Sequence, residues 1–343
     1  MVRRALALAA LAVSVLIMPV VLFPGAAGAS LPGPAYSNDF PDPSVLLTGG
    51  TYHAYSTQVG FVDVPTITSP NLTTWSSPPT DALPTLPSWA SWGSTWAPSV
   101  MQVGSSYLMY YTVRDTSAGR QCISVASATN PAGPFSDTSR GPLVCQLSRG
   151  GSIDPSPFRD VSGTSYLVWK SDDNSIGHPT HLWGQRLSSS GQSLVGRAVD
   201  LLDAGGSTTN PPTWEDWVIE GPSLVSAGGS YYLFYGGNHW DQTTSGIGYA
   251  TCKGPLGPCT KKTVTSPWWS SDPQQVGPAG PVGPQGPSFF TDANGKLDIA
   301  FDAWTCSPTA TGCQNGGAGY GNGYVRSLWL DTVTFANGAP VAG

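Results

Sequence analysis

Pro98-Ser-Val-Met-Gln-Val-Gly-Ser-Ser-Tyr-Leu-Met-Tyr-Tyr111 packs a Pro-Ser pair, a short apolar run, a glycine turn and an aromatic strand into one segment. Two extended runs around a glycine turn read as a hairpin. The pattern recurs. Pro-Ser stands at Pro43-Ser44, Pro98-Ser99, Pro155-Ser156, Pro222-Ser223 and Pro287-Ser288. The trailing strands begin at Thr51, Ser106, Ser165, Ser230 and Lys296, and most of the turns carry glycine, as in Gly49-Gly50 and Gly228-Gly229. An internal repeat of this size is read before anything else, because it determines the whole fold. Residues 30–343 shared among five copies leave roughly 63 residues each, enough for a four-stranded antiparallel blade. The reading is an all-β, five-bladed β-propeller. A two-sheet sandwich of tandem hairpins accounts for the strands but not for five evenly spaced copies.

The N-terminus reads differently. Arg3 and Arg4 precede an apolar run from Ala5 to Leu22, and Ala27-Gly28-Ala29 supplies a small-residue site before Ser30. That order marks a secretory signal over residues 1–29, cut after Ala29 and leaving a soluble, extracellular propeller over 30–343 with no membrane segment. Pro19 and Pro24 weigh against a membrane anchor. The six cysteines all follow the signal and fall into local couples, expected to pair as Cys122–Cys145, Cys252–Cys259 and Cys306–Cys313. None has the short spacing of a zinc site. Charged residues make up only 10% of the chain and the net charge is −6, with no basic cluster, which excludes nucleic acid as a partner. Gly277–Ser288 runs in four Gly-Pro-X triplets, too few for a triple helix, and is expected to be an extended loop into blade five.

In a propeller the first strand of each blade lines the central channel, so the residues beside each Pro-Ser pair face the funnel. They are Asp42 in Pro41-Asp-Pro-Ser, Trp96 in Trp96-Ala-Pro-Ser, Asp154 in Ile153-Asp-Pro-Ser, Glu220 in Glu220-Gly-Pro-Ser, and Gly283-Pro-Gln-Gly-Pro-Ser in the fifth copy. One Asp-Pro is ordinarily a turn. Three carboxylates at matching places in five repeats bring like charges into one partly dry channel, a costly arrangement that points to function. An acid and a base flanking a scissile bond are what glycoside hydrolysis requires.

Taken in order and spacing, these motifs resemble glycoside hydrolase family 43, and the resemblance covers essentially all of residues 30–343. It implies a five-bladed propeller and an inverting mechanism on carbohydrate, with α-L-arabinofuranosidase or arabinanase activity expected. β-Xylosidase, galactosidase and a non-catalytic carbohydrate-binding propeller are the alternatives. By motif match Asp42 is the general base, Glu220 the general acid and Asp154 the residue that orients the acid and raises its pKa. Trp96 is expected to stack on sugar, with Asn238 and Trp240 rimming the pocket. Asp39 is a weaker choice of base, and Glu215 and Asp216 are expected in solvated loops. Many family members place a histidine, associated with a central metal ion, in a blade-five Gly-Pro-Gly-His segment. This chain has Gly283-Pro-Gln-Gly-Pro there, so no metal ligand and no cofactor is expected, a channel calcium ion being the alternative. A monomer is expected.

Overall fold

The computed structural model describes residues 33–205, 214–271, 280–306 and 323–343. These residues form five antiparallel sheets in chain order. Blade one is β1 (Ser44–Thr48), β2 (Thr51–Tyr55), β3 (Pro65–Ser69) and β4 (Thr80–Asp81). Blade two is β5 (Ala90–Val103), β6 (Ser106–Asp115) and β7 (Arg120–Ala128). Blade three is β8 (Ser152–Arg159), β9 (Ser165–Ser171), β10 (His181–Leu187) and β11 (Leu194–Asp203). Blade four is β12 (Ile219–Ala227), β13 (Ser230–Gly237), β14 (Gly246–Cys252) and β15 (Cys259–Lys261). Blade five is β16 (Val282–Thr291), β17 (Leu297–Trp304), β18 (Arg326–Ala336) and β19 (Ala339–Ala342). Each Pro-Ser strand is the first of its blade, and each aromatic strand is the second, as the repeat predicts.

Blade two departs from the expected four strands. Its outer position is held only by single bridges, Ser127 to Ser136 and Ile123 to Val144. Pro131, Pro134 and Pro142 lie in that segment, and proline has no N–H to give a ladder. The Cys122–Cys145 disulfide fastens the segment instead. Cys252–Cys259 forms as expected, joining β14 to β15. Cys306 is disulfide-bonded, while its expected partner Cys313 lies outside the described residues, as does the signal segment 1–29. The Gly-Pro-X stretch is loop only in part: Val282–Ser288 runs within β16, with its prolines at register shifts.

The core lies between blades, because each sheet buries both faces against its neighbours. Phe234 and Trp269 of the blade-four side meet Phe301 and Trp329 of blade five. Leu108 and Tyr110 of blade two meet Leu167 and Trp169 of blade three. Burying one such side chain contributes roughly 1.5–3 kcal/mol. The ring closes where Phe40 and Tyr52 pack on Ala300 and Leu328. There the segment before β1 runs along β18, Tyr36 bridging to Leu328 and the Phe40 N–H donating to the Arg326 carbonyl at 2.7 Å.

Candidate active site

The five inner strands share a backbone device at the channel. The residue before each Pro-Ser pair is left-handed: Asp42 (φ 49°), Ala97 (43°), Asp154 (56°), Gly221 (55°) and Gly286 (60°). For a residue with a Cβ this conformation costs about 1–2 kcal/mol, and strain of this kind gathers at functional sites. In blades four and five the position is glycine for a steric reason. A Cβ on Gly221 would lie 3.3 Å from the Gly286 Cα, and one on Gly286 would lie 3.2 Å from the Asp42 Cα. Blade four therefore carries its carboxylate one residue earlier, on the longer Glu220. The three carboxylates are not in strict register, as the motif suggested; Asp42 and Asp154 correspond, and Glu220 is offset by one.

The second strands hold these left-handed turns in place. Ala97 N–H donates to Thr57 Oγ1 at 2.8 Å, Asp154 N–H to Thr112 Oγ1 at 3.1 Å, and Asp42 N–H to Asp302 Oδ2 at 2.7 Å. Each acceptor sits at the same place in its aromatic strand, one blade back.

Two charge clusters result. In the first, the Arg326 guanidinium reaches both oxygens of Asp42, at 3.0 Å and 3.3 Å, and Asp302 Oδ2 at 3.1 Å. Thr57 also donates its hydroxyl to Asp42 Oδ2 at 2.6 Å. Asp302 is wholly buried, and burial, reinforced by the Asp42 charge and opposed by Arg326, pushes its carboxyl up to about 7. In the second cluster Lys170, 1% exposed, lies 2.9 Å from Glu220 Oε2 and 3.9 Å from Asp172. Burial opposes the lysine's charge, but Glu220, Asp154 and Asp172 outweigh it and hold its pKa above the ordinary value. Asp154 accepts the Gly221 N–H at 3.0 Å, which ties it to the residue after Glu220. Burial, with the charges of Glu220 and Asp42 and against that of Lys170, pushes the Asp154 carboxyl up to about 7.

Asp42, Trp96, Asp154, Glu220 and Trp240 all line one cavity of about 700 Å³ at the channel mouth. Trp240 stacks on Trp304, with 6.0 Å between centroids, and covers the Arg326 guanidinium at 4.9 Å. Asn238 does not join the lining. Its side chain bonds Thr244 Oγ1 and the His239 N–H, while its carbonyl accepts from Gln285. Asp39 lies in the cavity wall, where it accepts the Arg326 backbone N–H. Glu215 is buried, not solvated, and is held by Lys261 and the Tyr235 hydroxyl.

Gln285, within the stretch that matches the family's Gly-Pro-Gly-His segment, donates its amide N–H to the carbonyls of Gly237 and Asn238, and its side-chain oxygen is buried with no hydrogen-bond partner. Among the described residues no group of three His, Cys, Asp or Glu side chains could hold an ion.

Lys170, Asp302 and Arg326 were not singled out in the sequence, although two of them leave a trace there. Aligned on one another, the aromatic strands carry Ser56, Tyr111, Lys170, Tyr235 and Phe301 in one column and Thr57, Thr112, Ser171, Gly236 and Asp302 in the next. Each column holds a single charge, and each charge is a partner of a cavity carboxylate.

The family model for glycosyl hydrolases family 43 matches residues 32–340. The chain belongs to that family. It is 28% identical over 243 residues to a β-D-galactofuranosidase of Aspergillus niger, covering 66% of this chain and 64% of that protein. It is 30% identical over 186 residues to an arabinoxylan arabinofuranohydrolase of Bacillus subtilis, covering 50% and 34% respectively. The matches thus span less than two thirds of these curated relatives. Among solved structures, a thermostable family-43 glycoside hydrolase superposes with a TM-score of 0.73 at 26% identity, over 90% of this chain and 95% of that one.

Proposed function

We propose that this propeller is a secreted, inverting glycoside hydrolase of arabinose- or xylose-containing polysaccharides and oligosaccharides, and specifically an α-L-arabinofuranosidase or arabinanase. The observation that carries the reading is the pairing of two cavity carboxylates with unlike partners. Asp42 is gripped on both oxygens by donors, the setting of a base that activates water. Glu220 is held on one oxygen, and Oε1 has no hydrogen-bond partner among the described residues, so it can reach a leaving oxygen. Asp154, whose carboxyl burial pushes up to about 7, lies beside Glu220 as a like charge once ionised. Asp154 positions the acid through the Gly221 N–H. The two relatives named above are a galactofuranosidase and an arabinofuranohydrolase, which supports a furanoside substrate.

The test is a panel of aryl α-L-arabinofuranosides, β-xylosides and β-galactofuranosides alongside debranched arabinan, with proton NMR in the first minutes of turnover. The arabinofuranoside should react fastest, with the product anomer opposite to the substrate's. Retained configuration would recast Asp42 as a nucleophile, and turnover of nothing would return the chain to a carbohydrate-binding role.

A further inference from the structure

Phe61 is 89% exposed and Trp92 is 56% exposed, and their rings stack with 5.7 Å between centroids and 15° between planes. Single exposed apolar side chains are ordinary on a protein surface, but contiguous ones mark a binding site. Among the described residues the exposed phenylalanine, tyrosine and tryptophan side chains are Phe61, Trp92, Trp96 and Trp240. Trp96 and Trp240 line the cavity. Phe61 follows Gly60, itself a lining residue, and Trp92 lies on the same strand as Trp96. The Phe61–Trp92 stack therefore adjoins the cavity lining through Gly60 and through β5.

The fold builds this stack deliberately. Val59 and Val62 exchange both backbone hydrogen bonds, with Gly60 left-handed (φ 59°), so Phe61 stands at the tip of a tight turn. On β5 the register jumps from Ser91 opposite Arg114 to Trp96 opposite Thr112, which throws the segment bearing Trp92 out of the ladder. Gln58 clamps the two tips together. Its N–H donates to the Thr95 carbonyl at 2.9 Å, and its side-chain oxygen accepts the Thr95 N–H at 3.3 Å. Gln121, on β7, donates its side-chain N–H to the Ser94 carbonyl at 3.1 Å. Rings fixed in this way lose little freedom when a ligand arrives.

We propose that Phe61 and Trp92 form a distal sugar-binding platform on the rim between blades one and two. It holds one unit of a neutral pentose polysaccharide while another unit of the same chain occupies the cavity. This rests on the function proposed above and deepens it toward polymeric substrate. The chemistry suits such an occupant. A pyranose or furanose ring presents a C–H face to an aromatic ring, and the two tips, residues 58–62 and 91–96, carry no charged side chain that would select an acidic polymer.

The experiment has two arms. In the first, Glu220→Gln protein, with and without Phe61→Ala/Trp92→Ala, is run through native gels containing debranched arabinan or arabinoxylan. In the second, kcat/KM on debranched arabinan is divided by kcat/KM on an aryl arabinofuranoside, with and without the same pair of substitutions. The substitutions should weaken gel retardation about tenfold and lower the polymer-to-aryl ratio about tenfold, through KM, the scale of one lost aromatic face. Unchanged retardation, or a parallel fall on both substrates, overturns the platform. So does a concentration-dependent self-association that the substitutions abolish while polymer binding persists, since the rings would then serve a second copy of the chain. If the parent enzyme turns over no glycoside but still binds polymer through these rings, the hydrolase reading fails and the platform stands. Should the double variant not fold, Phe61→Ser and Trp92→Ser singly give the same reading.

Discussion

The two charge clusters at the channel mouth are built from the same parts. Each joins a cavity carboxylate, a buried cation and a second carboxyl pushed up to about 7: Asp42 with Arg326 and the buried Asp302, Glu220 with Lys170 and Asp154, which itself lines the cavity. They differ in grip. Arg326 forks across both oxygens of Asp42, whereas Lys170 is a point charge on one oxygen of Glu220. A planar fork fixes orientation in a way an ammonium cannot. Under the proposed function, the contrast separates a carboxylate held as an acceptor from one left free to deliver a proton.

The largest expected effect tests that division of labour directly. Glu220→Ala should lose activity on a natural sugar leaving group by roughly 10²–10⁴-fold, the range of general acid catalysis, yet keep much of its rate on a dinitrophenyl glycoside, whose leaving group departs without a proton. Asp42→Ala should fail on both, with partial rescue by azide. Steady-state kcat/KM for each variant on each substrate decides it. If Glu220→Ala is equally impaired on both substrates, the clusters do not divide acid from base.

A smaller effect separates the cations. Lys170→Met strands Glu220 and Asp172 beside an uncompensated buried site, and removing one partner of such a pair costs about 3–5 kcal/mol. Arg326→Lys keeps the charge and loses the fork, so it should spare most of the stability and lower kcat about tenfold. Thermal melting and kinetics on the same samples test the pair. Equal melting temperatures for the two variants would mean that the clusters are matched in energy and differ only in shape.

The sequence made some of this legible and hid the rest for physical reasons. Five Pro-Ser hairpins imply five blades because a periodic pattern survives without knowledge of any contact, and the same pattern brought Asp42, Asp154, Glu220 and Trp96 to one opening. Partnerships across the ring leave no local trace. Arg326 lies 284 residues from Asp42, and only closure of the ring brings them together. The offset of Glu220 shows in Glu220-Gly-Pro-Ser, but its reason, the close approach of Gly221 to Gly286, does not. Asn238 looked like a rim residue by its place after an aromatic strand, but its left-handed backbone turns the side chain to Thr244 instead. Glu215 looked solvated because its partner Lys261 is distant in sequence.

The smallest effect compares the two raised carboxyls, Asp302 and Asp154, through the pH profile. Asp302 is neutral well below pH 7, so on the acidic limb, where the base Asp42 takes up its proton, Asp302→Asn replaces a neutral group by a neutral group. That limb should stay in place, with the Asn oxygen still able to accept the Asp42 N–H. Asp154 is different, because it ionises near pH 7. There its negative charge opposes, by like-charge repulsion, the departure of a proton held on the neighbouring acid. In Asp154→Asn that repulsion is gone while Lys170 remains, so the proton leaves earlier and the alkaline limb moves to lower pH. The acidic limb of that variant should move less, since Asp154 is itself neutral there. Full profiles of kcat/KM for both variants on one aryl arabinofuranoside make the comparison. A shift of the acidic limb in Asp302→Asn, or an alkaline limb that stays fixed in Asp154→Asn while only the maximum falls, would show that the two carboxyls act through geometry alone and that their resemblance is one of position, not of charge.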